Sequence, residues 1–331
     1  MEEFKLLSAS FSKAQYDNVI YHPFQSWDYG EALKDLGYSV LRFGEYKNQR
    51  LKRAFQISLH KIPLTNDLLA HLPRGVFPTS TYISQLRNIL SQYRVVHLRI
   101  EPYLEKDLKI IIPSDLVRAP DSLTYNYTIQ INLVKSETEL LNSLQSKTRY
   151  NLRLAEKKQV QIKVMNNNQG LKIFGKLLYE TAQRKGFFVR PYYYHQKVFA
   201  RTKDKITNLL IAFHNNTPLS AYELMFFAGR AHFVFGGTSL KYRQFMGSNL
   251  LMWRALMLAK ARGCQIFDMS ETLGPKGDVN HPWYGLTRFA SGFGGKYLQF
   301  LSNYDLIVNK RKYPFYKNLI GNIMKSLNYT D

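Results

Sequence analysis

Ala231-His232-Phe233-Val234-Phe235-Gly236-Gly237-Thr238-Ser239-Leu240-Lys241-Tyr242-Arg243-Gln244-Phe245-Met246-Gly247-Ser248 passes from a β-forming run, through glycines and polar residues, to a residue suited to open a helix. The spacing predicts a strand over Ala231 to Phe235, a loop opened by Gly236 and Gly237, and a helix from Ser248 to about Arg262. Gly263 stops that helix, and Cys264-Gln265-Ile266-Phe267-Asp268 reads as the next strand. Working upstream, Leu219 to Phe227 and Leu209 to Phe213 read as strands, with turns at Gly229 and at Asn215-Asn216.

The same order occurs earlier in the chain. Ser39 to Phe43 and Ala54 to Leu59 suggest a hairpin around the polar stretch Glu45 to Arg53. A loop at Leu72-Pro73-Arg74-Gly75, a helix over Ser80 to Tyr93 and a strand at Val95 to Ile100 follow. Before them, Ser26 is placed to cap a short helix that ends near Gly37. Two copies of one mixed α/β unit are implied. The predicted junction is Lys135-Ser136, because Ser136 and Glu139 have capping-box spacing at the head of a helix running to about Lys157. On that helix Arg149, Arg153 and Lys157 form a basic stripe beside an apolar one; a solvated face is the ordinary reading of such a stripe, and a cationic groove edge is the functional one.

Composition narrows the function. The chain has 331 residues, 45% of them hydrophobic, enough to bury the cores of two domains. Lys and Arg number 46 against 24 Asp and Glu, a formal charge of +22. Of these, 29 bases and 11 acids fall in 136–331, so a polyanion is expected to meet mainly the second half. One cysteine, Cys264, excludes an internal disulfide and a Cys-cluster zinc site. No apolar run reaches the roughly 18 residues of a membrane span, and Met1-Glu2-Glu3 lacks a secretory profile. The expectation is a cytoplasmic protein with at most peripheral contact with an anionic membrane. The tail from Lys310 to Leu327 has the basic and apolar spacing for that contact or for docking onto the body of the protein.

The eight histidines show no metal-ligand spacing, and no nucleophile elbow, Walker loop or dinucleotide fingerprint is present. No metal and no cofactor are expected. Two segments remain as binding candidates. The loop carrying Gly237, Lys241 and Arg243 ahead of a helix N-terminus suits phosphate or carboxylate, or is an ordinary capped helix in which Gly247 relieves a turn. In Gly186-Phe187-Phe188-Val189-Arg190-Pro191-Tyr192-Tyr193-Tyr194, Arg190 can grip a diphosphate, or the aromatics can form core.

Several stretches together resemble the FemABX family of non-ribosomal peptidyl transferases: Lys147-Thr148-Arg149-Tyr150-Asn151-Leu152-Arg153-Leu154-Ala155-Glu156-Lys157, Gly236-Gly237-Thr238-Ser239, and Gly285-Leu286-Thr287-Arg288-Phe289-Ala290-Ser291-Gly292-Phe293-Gly294. Pro73-Arg74-Gly75 and Arg99-Ile100-Glu101-Pro102 fit as well. The resemblance implies an α/β fold of two tandem acetyltransferase-like (GNAT-like) domains without a long coiled-coil arm. Their expected bounds are 1–135 with 299–331, which takes the acceptor precursor, and 136–298, on the aminoacyl-tRNA side. It implies transfer of an amino acid from aminoacyl-tRNA to the stem peptide of lipid II or UDP-MurNAc-pentapeptide, with aminoacyl-tRNA a co-substrate rather than a cofactor. Arg190 and Tyr194 match the family's Arg-Pro-x-x-Tyr pattern for the acceptor's diphosphate, Glu101 the acidic position facing substrate, and Phe289 the aromatic of a Phe-Lys pair. Ala290 stands where that lysine is expected, leaving Arg288 or Lys296 to supply the cation. Two alternatives stay open: an N-acyltransferase using acyl-coenzyme A, whose loop pattern here has Gly247 one residue late after Arg243, and a precursor-binding protein without turnover.

Overall fold

The computed structural model describes residues 2–120, 126–186 and 189–319. The chain divides into two compact units, Met1–Thr124 with Phe300–Asp331, and Tyr125–Gln299.

Unit 1 begins with β1 (Glu2–Leu6), α1 (Lys13–Asp17) and α2 (Trp27–Asp35), followed by β2 (Ser39–Lys47), β3 (Arg50–Lys61) and β4 (Leu68–Gly75). Then come α3 (Ile83–Gln92), β5 (Val95–Pro102) and β6 (Leu116–Arg118). Unit 2 holds β7 (Tyr127–Asn132), α4 (Glu137–Ser143), α5 (Ser146–Lys157), β8 (Gln161–Val164), α6 (Asn168–Lys185) and α7 (Tyr192–Thr202). It continues through β9 (Thr207–His214), β10 (Thr217–Phe227), β11 (Arg230–Thr238), α8 (Gly247–Ala261), β12 (Ile266–Thr272), α9 (Tyr284–Ser291) and β13 (Lys296–Gln299). The chain then returns to unit 1 with β14 (Tyr304–Ile307) and α10 (Tyr313–Tyr316).

The two sheets repeat one plan. Unit 1 has the order β1-β2-β3-β4-β5-β14-β6, and unit 2, read from its opposite edge, β8-β9-β10-β11-β12-β7-β13. In each, the fourth and fifth strands are the parallel pair, β4 with β5 and β11 with β12, joined by a crossover through α3 or α8. The sixth place is filled by exchange: β7, which follows β6 in the chain, sits in the second sheet, and β14, which follows β13, sits in the first.

Local chemistry explains the element ends. Ser26 accepts from the Tyr29 amide at 3.3 Å and caps α2, while Gly37 and Gly263 take φ of +87° and +75° where helices stop. Ser136 and Glu139 form the expected capping box, with Glu139 N–H donating to Ser136 Oγ at 3.2 Å and Ser136 N–H to Glu139 Oε2 at 2.8 Å. The helix predicted to run from there to Lys157 is broken, because Leu144, buried against the core, is extended at ψ 144° between α4 and α5. The unit boundary accordingly falls near Tyr125 rather than Ser136, since β7 precedes the capped helix and pairs with β12 and β13.

Strand alternation sets the cores. In unit 2, Leu209, Ile211 and Phe213 of β9 face Phe174 and Leu177 of α6 and Phe199 of α7. Leu210 and Ala212 face Leu250, Leu251 and Ala255 of α8. In unit 1, Phe43, Phe55, Ile57, Leu72, Leu98, Ile100 and Leu306 pack on Ile83, Leu86 and Leu90 of α3, each buried side chain contributing about 1.5–3 kcal/mol. The same alternation turns Arg42, Gln56, Ser58, His60, His71, His97, Arg99, Glu101 and Asp305 to the other face, and all are buried. Sheet 1 therefore has one hydrocarbon face and one buried polar face.

No helix among the described residues exceeds the 18 residues of α6, so no long coiled-coil arm is present there, and none is apolar and long enough to cross a membrane. The described part of the tail docks on unit 1, with Tyr313, Tyr316 and Leu319 against Ile62, Leu69 and Val96. Ile320, Ile323 and Leu327 lie outside the described residues.

Candidate active site

The polar face of sheet 1 gathers its charges at β5. Arg99 stands in register with Asp305 of β14, and its Nε donates to Asp305 Oδ1 at 2.5 Å and its Nη2 to Oδ2 at 3.2 Å. Two residues on, Glu101 points the same way, 3% exposed, with its Oε2 3.4 Å from His71 Nε2 on the neighbouring strand β4. Burial pushes the Glu101 carboxyl up, but His71, Arg74 and Arg99 together outweigh it and hold the group below its ordinary value. No hydrogen-bond donor among the described residues reaches its Oε1. The result is a buried carboxylate held ionised beside an imidazole, with one oxygen that no donor among the described residues meets.

The β4–β5 pairing shifts register between Pro73 and Gly75, and Arg74 takes φ +49° there. Leu72 to Gly75, expected as a loop, is thus the bulged end of a strand. Its guanidinium carbon lies 5.6 Å from the Phe300 ring. Next to it, the start of the segment leading to α3 is already satisfied, because Thr79 donates to the Glu45 carboxylate through its N–H at 3.0 Å and its hydroxyl at 2.6 Å. An external anion has a built-in competitor at that position of unit 1.

Unit 2 brings Arg190 and Tyr194 together, the guanidinium carbon 5.3 Å from the ring centroid. Tyr194 is buried on the first turn of α7 and meets His195 edge to face at 5.5 Å, and His195 Nδ1 lies 3.4 Å from Glu223 Oε2 in the interior. Lys241 and Arg243 are exposed on the segment before α8, which Lys158 Nζ braces by donating to the Gln244 carbonyl at 2.8 Å. Arg153 and Lys157 are exposed on α5, whereas Arg149 donates to the carbonyls of Asn142 and Leu144 and thereby caps the end of α4.

Gly237 has a different place from the one expected of it. It lies in β11 rather than in the loop, and a Cβ built on it would stand 2.3 Å from the backbone C of Leu177 and N of Leu178. Glycine is needed there so that α6 can approach the strand. Gly237→Ala is expected to lower stability by about 1–3 kcal/mol in urea unfolding, and an unchanged midpoint would show that the approach has slack.

On α9, Arg288 is exposed and Phe289 is half-buried 5.1 Å from Phe293. Ala290 is fully buried in the unit 2 core, so this position cannot present a cation without burying an ammonium in hydrocarbon. Lys296 is exposed on β13. Sequence reading missed His71 and His195 as partners of carboxylates. The signal for His71 was alternation with Leu72 and Ala70, hidden because its strand was not recognised. Among the described residues no group of three or more histidine, cysteine or acidic side chains is arranged to hold a metal ion.

The model of the FemAB family matches residues 116–217 and 199–320. Lipid II:glycine glycyltransferase of Staphylococcus haemolyticus strain JCSC1435 is 20% identical, over 90% of this chain and 91% of that protein. Among solved structures, FemX superposes with a TM-score of 0.82 at 17% identity, covering 95% of this chain and all of that one. A tandem GNAT protein from the clavulanic acid biosynthesis pathway gives 0.53 at 9% identity, covering 93% and 99%. Both likenesses show the fold: two tandem GNAT-like units.

Proposed function

The chain belongs to the FemAB family, and from that premise we propose that it is an aminoacyltransferase that carries an amino acid from aminoacyl-tRNA to the stem peptide of a peptidoglycan precursor. The observation that carries this reading is the family match over residues 116–217 and 199–320, joined by 90% coverage of the chain against a lipid II:glycine glycyltransferase. The precursor is lipid II or UDP-MurNAc-pentapeptide, and the product lengthens the interpeptide bridge.

In the proposed reaction the stem-peptide amine attacks the ester carbonyl of aminoacyl-tRNA. A C–N bond forms, the C–O ester bond breaks, and the proton lost by the amine balances the hydroxyl regained by the tRNA. An activated ester needs orientation and charge stabilisation more than covalent help. Glu101, held ionised by His71, Arg74 and Arg99, suits orientation of the amine better than strong basicity. Arg190, stacked on Tyr194, would take the acceptor's diphosphate bidentately. Arg153, Lys241 and Arg243, all exposed, would meet tRNA phosphates, which makes binding salt-dependent, whereas Arg149 is engaged on the end of α4. Arg288 or Lys296 would face the developing oxyanion, with Phe289 beside the reacting carbonyl.

The test is incubation with a mixed aminoacyl-tRNA pool and each precursor, read by mass spectrometry for a one-residue extension of the stem peptide. Extension by the native protein and loss of about 2 kcal/mol of acceptor binding in Arg190→Ala are expected. No extension of either precursor sinks the proposal, and tight acetyl-coenzyme A binding by calorimetry would replace it with the coenzyme A reading.

A further inference from the structure

One end of unit 1 carries exposed hydrocarbon and cations that the reaction does not use. The turn after β3, Ile62-Pro63-Leu64-Thr65-Asn66-Asp67, is closed by Thr65 N–H and Oγ donating to the Ile62 carbonyl at 3.2 and 3.0 Å, and by Asp67 N–H donating to Thr65 Oγ1 at 3.1 Å. Leu64 sits at its tip with φ +62°, a conformation that suits glycine or asparagine, and is 106% exposed. Phe315 of α10 is 82% exposed although Tyr313, Tyr316 and Leu319 around it turn inward onto Ile62, Leu69 and Val96.

The buried Asp67 ties these pieces together. Its carboxylate lies 2.6 Å from Lys312 Nζ and 3.7 Å from Arg94 Nη2, so the turn, the start of β5 and α10 are held at one place. Those three segments, 61–67, 93–94 and 310–319, contain the exposed cations Lys61, Arg94, Lys310, Arg311 and Lys317. Their one acid is Asp67, which is consumed inside. Two exposed apolar side chains on segments rich in cations and without an exposed carboxylate match the chemistry of an anionic bilayer. A nucleic acid satisfies the cations but offers Leu64 nothing to stack on.

We propose that this end of unit 1 is a bilayer-docking surface, in which Leu64 and Phe315 enter the acyl boundary and the five cations meet lipid phosphates. The inference does not rest on the transferase reading, because vesicle binding is measured without acyl transfer. The full chain is sedimented with vesicles of phosphatidylcholine containing about 30% phosphatidylglycerol, with vesicles of phosphatidylcholine alone, and assayed separately against bulk tRNA. Binding to the anionic vesicles is expected, weakening as salt rises. Leu64→Ala and Phe315→Ala should each reduce it about tenfold, and Lys310→Glu with Arg311→Glu by tenfold or more, with thermal unfolding unchanged because all four side chains are exposed. Failure of the native protein to sediment with anionic vesicles overturns the proposal. So does equal sedimentation of the Leu64→Ala/Phe315→Ala variant, or a loss confined to tRNA binding.

Discussion

Asp305→Ala is expected to destabilise the protein by about 3–5 kcal/mol in urea unfolding at neutral pH, the largest stability effect of any single substitution considered. Asp305 and Arg99 are both fully buried and paired across β14 and β5. Asp305 also accepts from Tyr313 Oη at 2.9 Å, and Arg99 Nη2 donates to the Lys317 carbonyl at 2.9 Å. Removing the carboxylate strands a guanidinium in the interior and loosens the hold on α10. Removing both charges does not, so Arg99→Met/Asp305→Leu should lie much closer to the native protein than Asp305→Ala does. A cost below about 1 kcal/mol for Asp305→Ala would mean that water reaches the pair and that the polar face is less dry than its burial indicates.

Glu101→Gln is expected to lower the rate of acyl transfer by roughly a hundredfold at saturating substrates while leaving aminoacyl-tRNA affinity unchanged. The amide keeps the shape of the side chain and loses the charge that orients an amine. The same substitution carries a signature in stability. Burial raises the Glu101 pKa, but His71, Arg74 and Arg99 bring it below the ordinary 4.5. A carboxyl depressed in the folded state stabilises it fully above the unfolded value and loses that contribution as pH falls through the folded one. The stability difference between native protein and Glu101→Gln should therefore be flat above about pH 4.5 and shrink in more acidic solution. A difference that grows on acidification would reverse the electrostatic account, and an unchanged transfer rate would remove Glu101 from the chemistry.

What the sequence made legible follows from what is local. Ser136 and Glu139 declare a helix start because the cap is closed within four residues, and Asn215-Asn216, with φ of +46° and +63°, declare a turn by their own conformational tolerance. The break between α4 and α5 carries no glycine or proline, since the extended Leu144 is held by burial in the core. The strand ending at Gly75 looked like a loop because Pro73 lacks a donor and Arg74 is left-handed, and only parallel pairing with β5 makes the bulge a strand end. Glu101 was visible by resemblance, but the imidazole that fixes it comes from that unrecognised strand. The Arg99–Asp305 pair spans 206 residues of chain, beyond any pattern of periodicity.

The exchange of β7 and β14 also fixes an order of assembly. Residues 304–307 are synthesised after the whole of unit 2, yet β6 is hydrogen-bonded in its sheet through β14. During translation the half made first is therefore the half completed last, and until then the flank of β5 stands open with unmet backbone donors and acceptors. An open strand edge of this kind is exposed to wrong pairing for as long as the chain is incomplete.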